Sequence, residues 1–199
     1  MDGQEAGTQS SHESDLFSEV IFYATLRDTT KVRFSMKQNV KMTPLMQRVK
    51  LQTEVLLPLL RHLRAELGEE NANNLVYPVL RSMTKEWIAE MASSESKDPI
   101  ENFRKTSELH LSSFEGDVDL NVLRADEERL EVNVTGCRYA DFFRQLGEPE
   151  LGAILTCEMD DHIAELSAPA VSLSLTDTIM KGGTHCPFRY KFSRTEDTE

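Results

Sequence analysis

The chain has 199 residues, 39% hydrophobic and 28% charged, with a formal net charge of -12. That size and composition suit one globular domain with a sizeable core, and the negative field argues against non-specific nucleic-acid binding, which needs clustered Lys and Arg. No apolar run approaches the roughly 18–20 residues of a membrane span, and the N-terminus has neither the basic nor the apolar region of a secretory signal.

Residues 1–14 are rich in Gly, Ser, Gln and acidic residues and are expected to be a disordered acidic tail. Residues 16–24 form a short apolar segment, read as a first helix, and a polar, basic stretch follows. From Thr43 a helical period begins: Val55, Leu56, Leu59, Leu60 and Leu63 fall on one stripe, with Pro58 expected to kink or divide the helix and Gly68 to stop it. Leu75, Val79, Leu80, Met83, Trp87, Ile88 and Met91 recur at the same period in a second helix. A third starts with Asp98 as N-cap, Pro99 at the first helical position and Glu101 closing a capping box.

After Glu115 the period changes from helical to alternating. Val118, Leu120 and Val122, then Leu130, Val132 and Val134, predict two strands joined by a hairpin loop over residues 125–128. Residues 139–146 predict a short helix ended by Gly147, and residues 151–166 a longer one stopped near Pro169. Val171, Leu173 and Leu175 alternate again, Lys181-Gly182-Gly183-Thr184 supplies a turn, and Cys186, Phe188, Tyr190 and Phe192 alternate in a last strand. The expected fold is α+β: N-terminal helices packed on a small antiparallel sheet with inserted helices, in one domain over residues 15–193 and a short disordered tail at 194–199.

Three patterns could carry chemistry, and each holds one of the three cysteines. Gly136-Cys137-Arg138-Tyr139 sits where a strand passes into a helix. Cys157 shares a helical face with Asp160 and Asp161. Cys186 follows the double-glycine turn on the strand face of Phe188 and Tyr190, with His185 and Arg189 facing the other way. An odd cysteine count suits free thiols in a reducing cytoplasm rather than a disulfide framework. A free cysteine is also often a small packing residue, so the pattern alone leaves both roles open. His62 and His110 fall in helical stretches and read as solvated, His162 as a surface histidine; Trp87 falls on a core stripe.

The order of these elements resembles the L-2-amino-thiazoline-4-carboxylic acid hydrolase family: a Cys-x-Tyr element (Cys137, Tyr139), a Cys-x-x-Asp helix (Cys157, Asp160), and a Gly-rich turn leading into Cys-x-Phe-Arg (Gly182, Gly183, Cys186, Phe188, Arg189). Leu175-Thr176-Asp177-Thr178 stands where the family has an Arg-Thr-x-Thr type of strand, and Pro187 where Asp often follows the last cysteine. The resemblance implies a hydrolase acting on a C–N or C=N bond in a small cyclic, heterocyclic molecule, opening a thiazoline ring to an N-carbamoyl amino acid. The residues expected to serve such a reaction are Cys186, Asp160, His185 and Cys157 in catalysis, and Arg189, Tyr139, Thr178 and Cys137 in substrate contact.

Two routes are open at this level. A thiolate could attack if its pKa were lowered, or a carboxylate such as Asp160 or Asp161 could act as general base on water. Arg189 could hold a substrate carboxylate in a bidentate fork. No cofactor is expected, with zinc on Cys137, Cys157 and Cys186 as the alternative, although no C-x₂-C knuckle is present. The partner is a small-molecule substrate, with neither nucleic acid nor membrane, and an oligomer is compatible with the sequence. A non-catalytic small-molecule-binding domain with structural zinc, or a helical interaction protein, are the competing readings.

Overall fold

Two long helices open the chain described by this computed structural model, which covers residues 44–92, 96–114 and 116–193. The acidic tails and the apolar segment at residues 16–24 lie outside the described residues. Helix α1 (Leu45–Leu67) and helix α2 (Glu69–Met91) meet at Gly68, whose φ of 81° a side chain would resist. Pro58 does not divide α1: it sits on an exposed face of an unbroken helix, so the hydrogen bond its missing N–H forfeits is not buried.

The apolar stripes need correction. The core face of α1 is Leu45, Val49, Thr53, Leu57 and Leu60, whereas Val55 and Leu59 are 68% and 58% exposed. In α2 the inward residues are Ala72, Tyr77, Leu80, Thr84 and Ile88, while Leu75, Val79 and Met83 face out. Each helix carries apolar residues on two faces, and periodicity does not say which one packs inward.

Helix α3 (Pro99–Ser113) starts as expected: Asp98 Oδ1 accepts the amides of Ile100 and Glu101. Glu101 does not reach back to close a box, because Ser96 and Lys105 hold its carboxylate. Strand β1 (Val118–Ala125) and strand β2 (Arg129–Cys137) form the hairpin, whose turn is tied by Asp126 Oδ1 accepting from the amides of Glu128 and Arg129.

Helix α4 (Arg138–Leu146) ends at Gly147 in the left-handed conformation, φ 74°. The next helical run has three parts: α5 (Pro149–Gly152), a π-helical turn (Ala153–Cys157) and α6 (Glu158–Glu165). Strand β3 (Val171–Ser174) and a short 3₁₀ turn (Ile179–Lys181) lead to strand β4 (Cys186–Phe192). The sheet is antiparallel throughout, in the order β1-β2-β4-β3. The architecture is α+β in one domain, as expected.

Register decides what faces the helices. Val134 pairs with Cys186, Val132 with Phe188 and Leu130 with Tyr190, while Leu173 pairs with Tyr190 from the other side. That apolar face meets α3, where Phe103 packs on Tyr190 and Phe192 with centroids 4.8 and 5.6 Å apart. Burying such rings is the main stabilising term. The opposite face carries Arg189, Asn133 and Lys191.

Candidate active site

Asp160 on α6 is the centre of an interior polar cluster. Tyr190 on β4 donates its hydroxyl to Asp160 Oδ1 at 3.3 Å, and His110 Nε2 on α3 stands 4.0 Å from the same oxygen. Alternation puts Tyr190 on the helix side of the sheet, and the π turn precedes Asp160 by one short step of helix. Burial lifts the Asp160 carboxyl from 3.8 to about 7; the Tyr190 hydrogen bond opposes that shift, and the charge of Asp161 adds to it. Its side chain is still 22% exposed, so solvent reaches one edge of the carboxyl. Burial, then the adjacent Asp160, holds the Tyr190 hydroxyl well above its usual range, so it serves as a donor.

Two of the three cysteines, Cys157 and Cys186, feel the charge of this carboxyl. Burial is the main cause that raises each thiol, Cys157 to about 12. Cys157 also feels Cys137 and Cys186, and Cys186 feels Cys137, so the three thiols lie within electrostatic reach of one another. The Ile179 amide donates to Cys186 Sγ at 3.3 Å, which opposes the rise there. At neutral pH all three are thiols, which are poor nucleophiles.

Tyr139 is fully buried and edge-on to Phe114, whose ring is edge-on to His110. The other candidates make their hydrogen bonds elsewhere than at Asp160. Thr178 is buried, and its hydroxyl accepts the Lys181 amide to cap the 3₁₀ turn. A Cβ at Gly183 would meet the Asp177 carboxylate, which would have to swing aside. The His185 ring pairs with the Thr184 hydroxyl at 3.1 Å. Arg189 spends its guanidinium on the carbonyls of Val132 and Phe188 and on Asn133 Oδ1, on the outer face of the sheet.

Two residues that the sequence did not single out belong to the interior. His110 is not solvated: it is 3% exposed, and neither ring nitrogen has a hydrogen-bond partner. Burial, and then the charge of Arg48, drop its pKa to about 4, so the ring is neutral. A signal existed, since Ile100, Phe103, Thr106 and His110 all lie on the buried face of α3. Arg48 on α1 rests on the Trp87 ring, its guanidinium carbon 3.6 Å from the centroid.

His162 is also more covered than expected, with its side chain 12% exposed. It lines an open groove of about 510 Å³ on the other flank of α6, together with Asp161, Glu165, Ser172 and Lys181. That groove includes neither Asp160 nor a cysteine. Among the described residues no three His, Cys, Asp or Glu side chains are arranged to hold a metal ion. Among them, too, no helix is long and apolar enough to cross a membrane.

No curated protein matches the chain. A crystal structure of the phenol-responsive sensory domain of the transcription activator PoxR with phenol is similar over 80% of this chain and 84% of that one, at 17% identity and a TM-score of 0.36. The model of the L-2-amino-thiazoline-4-carboxylic acid hydrolases matches residues 48–190, which span the Asp160 cluster and all three cysteines. The match takes in most of the chain, and with it the chain belongs to the L-2-amino-thiazoline-4-carboxylic acid hydrolase family.

Proposed function

We propose that the chain hydrolyses a C–N or C=N bond in a small cyclic molecule, with Asp160 as general acid–base. One observation carries this reading: a part-exposed carboxyl held near pH 7 beside a fixed hydroxyl donor. A catalytic base works best when its pKa lies near the working pH, because it can then both accept and return a proton.

The steps follow from that balance. Ionised Asp160 takes a proton from water as the water oxygen bonds to the electrophilic ring carbon. The bond from that carbon to a ring heteroatom then breaks, and protonated Asp160 gives the proton to the leaving nitrogen or sulfur. Tyr190 keeps the carboxyl oriented throughout. Cys186 is cast here as a wall of the site rather than a nucleophile, since its raised pKa leaves little thiolate at neutral pH. Water is the only co-reactant required.

The test is turnover of L-2-amino-thiazoline-4-carboxylate by Asp160→Asn and Cys186→Ala. The first should lose about 10²–10⁴-fold in kcat, the usual contribution of general acid–base catalysis. The second should stay within about tenfold of the parent, as for a residue that only shapes the wall. Near-parental activity of Asp160→Asn sinks the assignment, and abolished activity of Cys186→Ala alone would move the chemistry to the thiol.

A further inference from the structure

Arg48 is a cation in an awkward place. Its Nε is buried with no hydrogen-bond partner, and among the described residues no carboxylate forms an ion pair with it. Burial pulls its pKa down to about 10, a sign of the desolvation that the charge suffers. The Trp87 face offsets part of this, as an aromatic ring does for a cation held over it. A ring quadrupole does not neutralise a charge. Buried charges in folded proteins are otherwise paired or bound to ions.

Its neighbours share the deficit. His110 is close enough to feel the charge of Arg48, and it offers a ring N–H with no acceptor. The other neighbour of His110 is Asp160, 4.0 Å away. His110 thus lies within reach of the charge of Arg48 and 4.0 Å from the candidate base. Arg189, the arginine expected to grip an anion, is occupied on the far face of the sheet.

We propose that Arg48, seated on Trp87 and flanked by His110, receives the carboxylate of the small molecule that enters this site and so selects carboxylate-bearing substrates. The word substrate rests on the hydrolase reading above; the recognition does not. A guanidinium offers two parallel N–H donors to a carboxylate. The carboxylate supplies the missing counter-charge and leaves the rest of the ligand beside His110, towards Asp160.

Trp87 is the chain's single tryptophan, so its fluorescence reports directly on what binds at Arg48. The probes are L-2-amino-thiazoline-4-carboxylate, its decarboxylated analogue 2-amino-2-thiazoline, and a small set of plain carboxylates (acetate, benzoate and pyroglutamate). The full chain should give a saturable signal with carboxylates and a much weaker one with the decarboxylated analogue. Arg48→Met should weaken carboxylate binding by roughly tenfold to a hundredfold, the range for a hydrogen bond to a charged group, and Arg48→Lys should fall between, with circular dichroism checking that each variant folds. Equal affinity for the two thiazolines in the unaltered protein, which needs no variant, overturns the proposal; so does unchanged carboxylate affinity in Arg48→Met. Carboxylate binding through Arg48 without turnover leaves recognition standing and removes the hydrolase reading. Turnover of both thiazolines with equal KM does the reverse, and neither binding nor turnover of any probe removes both.

Discussion

Replacing Asp160 with Asn should make the protein more stable at pH 8 and leave it unchanged at pH 4. The carboxyl is raised from 3.8 to about 7, so between those values the folded chain keeps a proton that the unfolded chain releases. Stability tied to this group is therefore full below pH 4 and declines as pH rises, reaching its floor above 7. At about 1.36 kcal/mol per pKa unit the loss is at most about 4 kcal/mol, and the exposed edge of the side chain brings it below that ceiling. An amide does not ionise and can still accept from Tyr190. The difference in unfolding free energy between variant and parent should thus grow from near zero at pH 4 to about 2–4 kcal/mol at pH 8, or on the order of 10 °C in Tm for a domain of this size. Urea denaturation at several pH values measures it, and subtracting the two curves cancels every other titrating group. Parallel curves would show that Asp160 is not held neutral by the fold, and the acid–base role would fall with that premise.

His110 should titrate with a midpoint near 4 in the folded chain, followed through its Hε1 proton resonance; since burial depresses its pKa, the stability it contributes is present above 6.5 and lost as pH falls towards 4. Glu148 is buried against Arg64 with contacts of 2.8 and 2.9 Å, so Glu148→Ala should cost about 1.5–3 kcal/mol in urea unfolding, because Arg64 loses its counter-charge while keeping Asn73 and Tyr77. The cysteines should react slowly with a disulfide reagent at pH 7.5 in the folded state and at once in denaturant, with Cys157 slowest of the three, as mass spectrometry of partly labelled protein would show.

Much of the fold was legible because turn chemistry and period agree: Asp98 before Pro99, Gly147 after residues 139–146, and the alternation of Cys186 to Phe192 each point one way. The faces of α1 and α2 were not, since Val55 and Leu59 are as apolar as Leu57 and Leu60, and only tertiary contact separates them. In the site, the spacing of Cys157 and Asp160 and the parity of Cys186 with Tyr190 carried real positional content. Arg48, Trp87 and His110 did not announce themselves, because their relation is made by packing three helices that local pattern treats separately. Arg189 shows the converse: its place after Cys186 is visible in sequence, but strand alternation turns it away from the carboxyl.

The π turn at Ala153–Cys157 sets an angle as well as a bend. A π turn holds one residue more than the α-helical turn it replaces, and each residue advances a helix by about 100°. Deleting a single residue there would let the helix run on in regular α geometry while Leu151 and Ile154 kept their seats in the core. Everything from Glu158 to Glu165 would then be rotated by more than a quarter-turn, carrying Asp160 away from Tyr190 and His110. A chain shortened in this way would keep its outline and lose the contacts of Asp160, so the extra residue works as the timing mark that brings a carboxyl to face its partners.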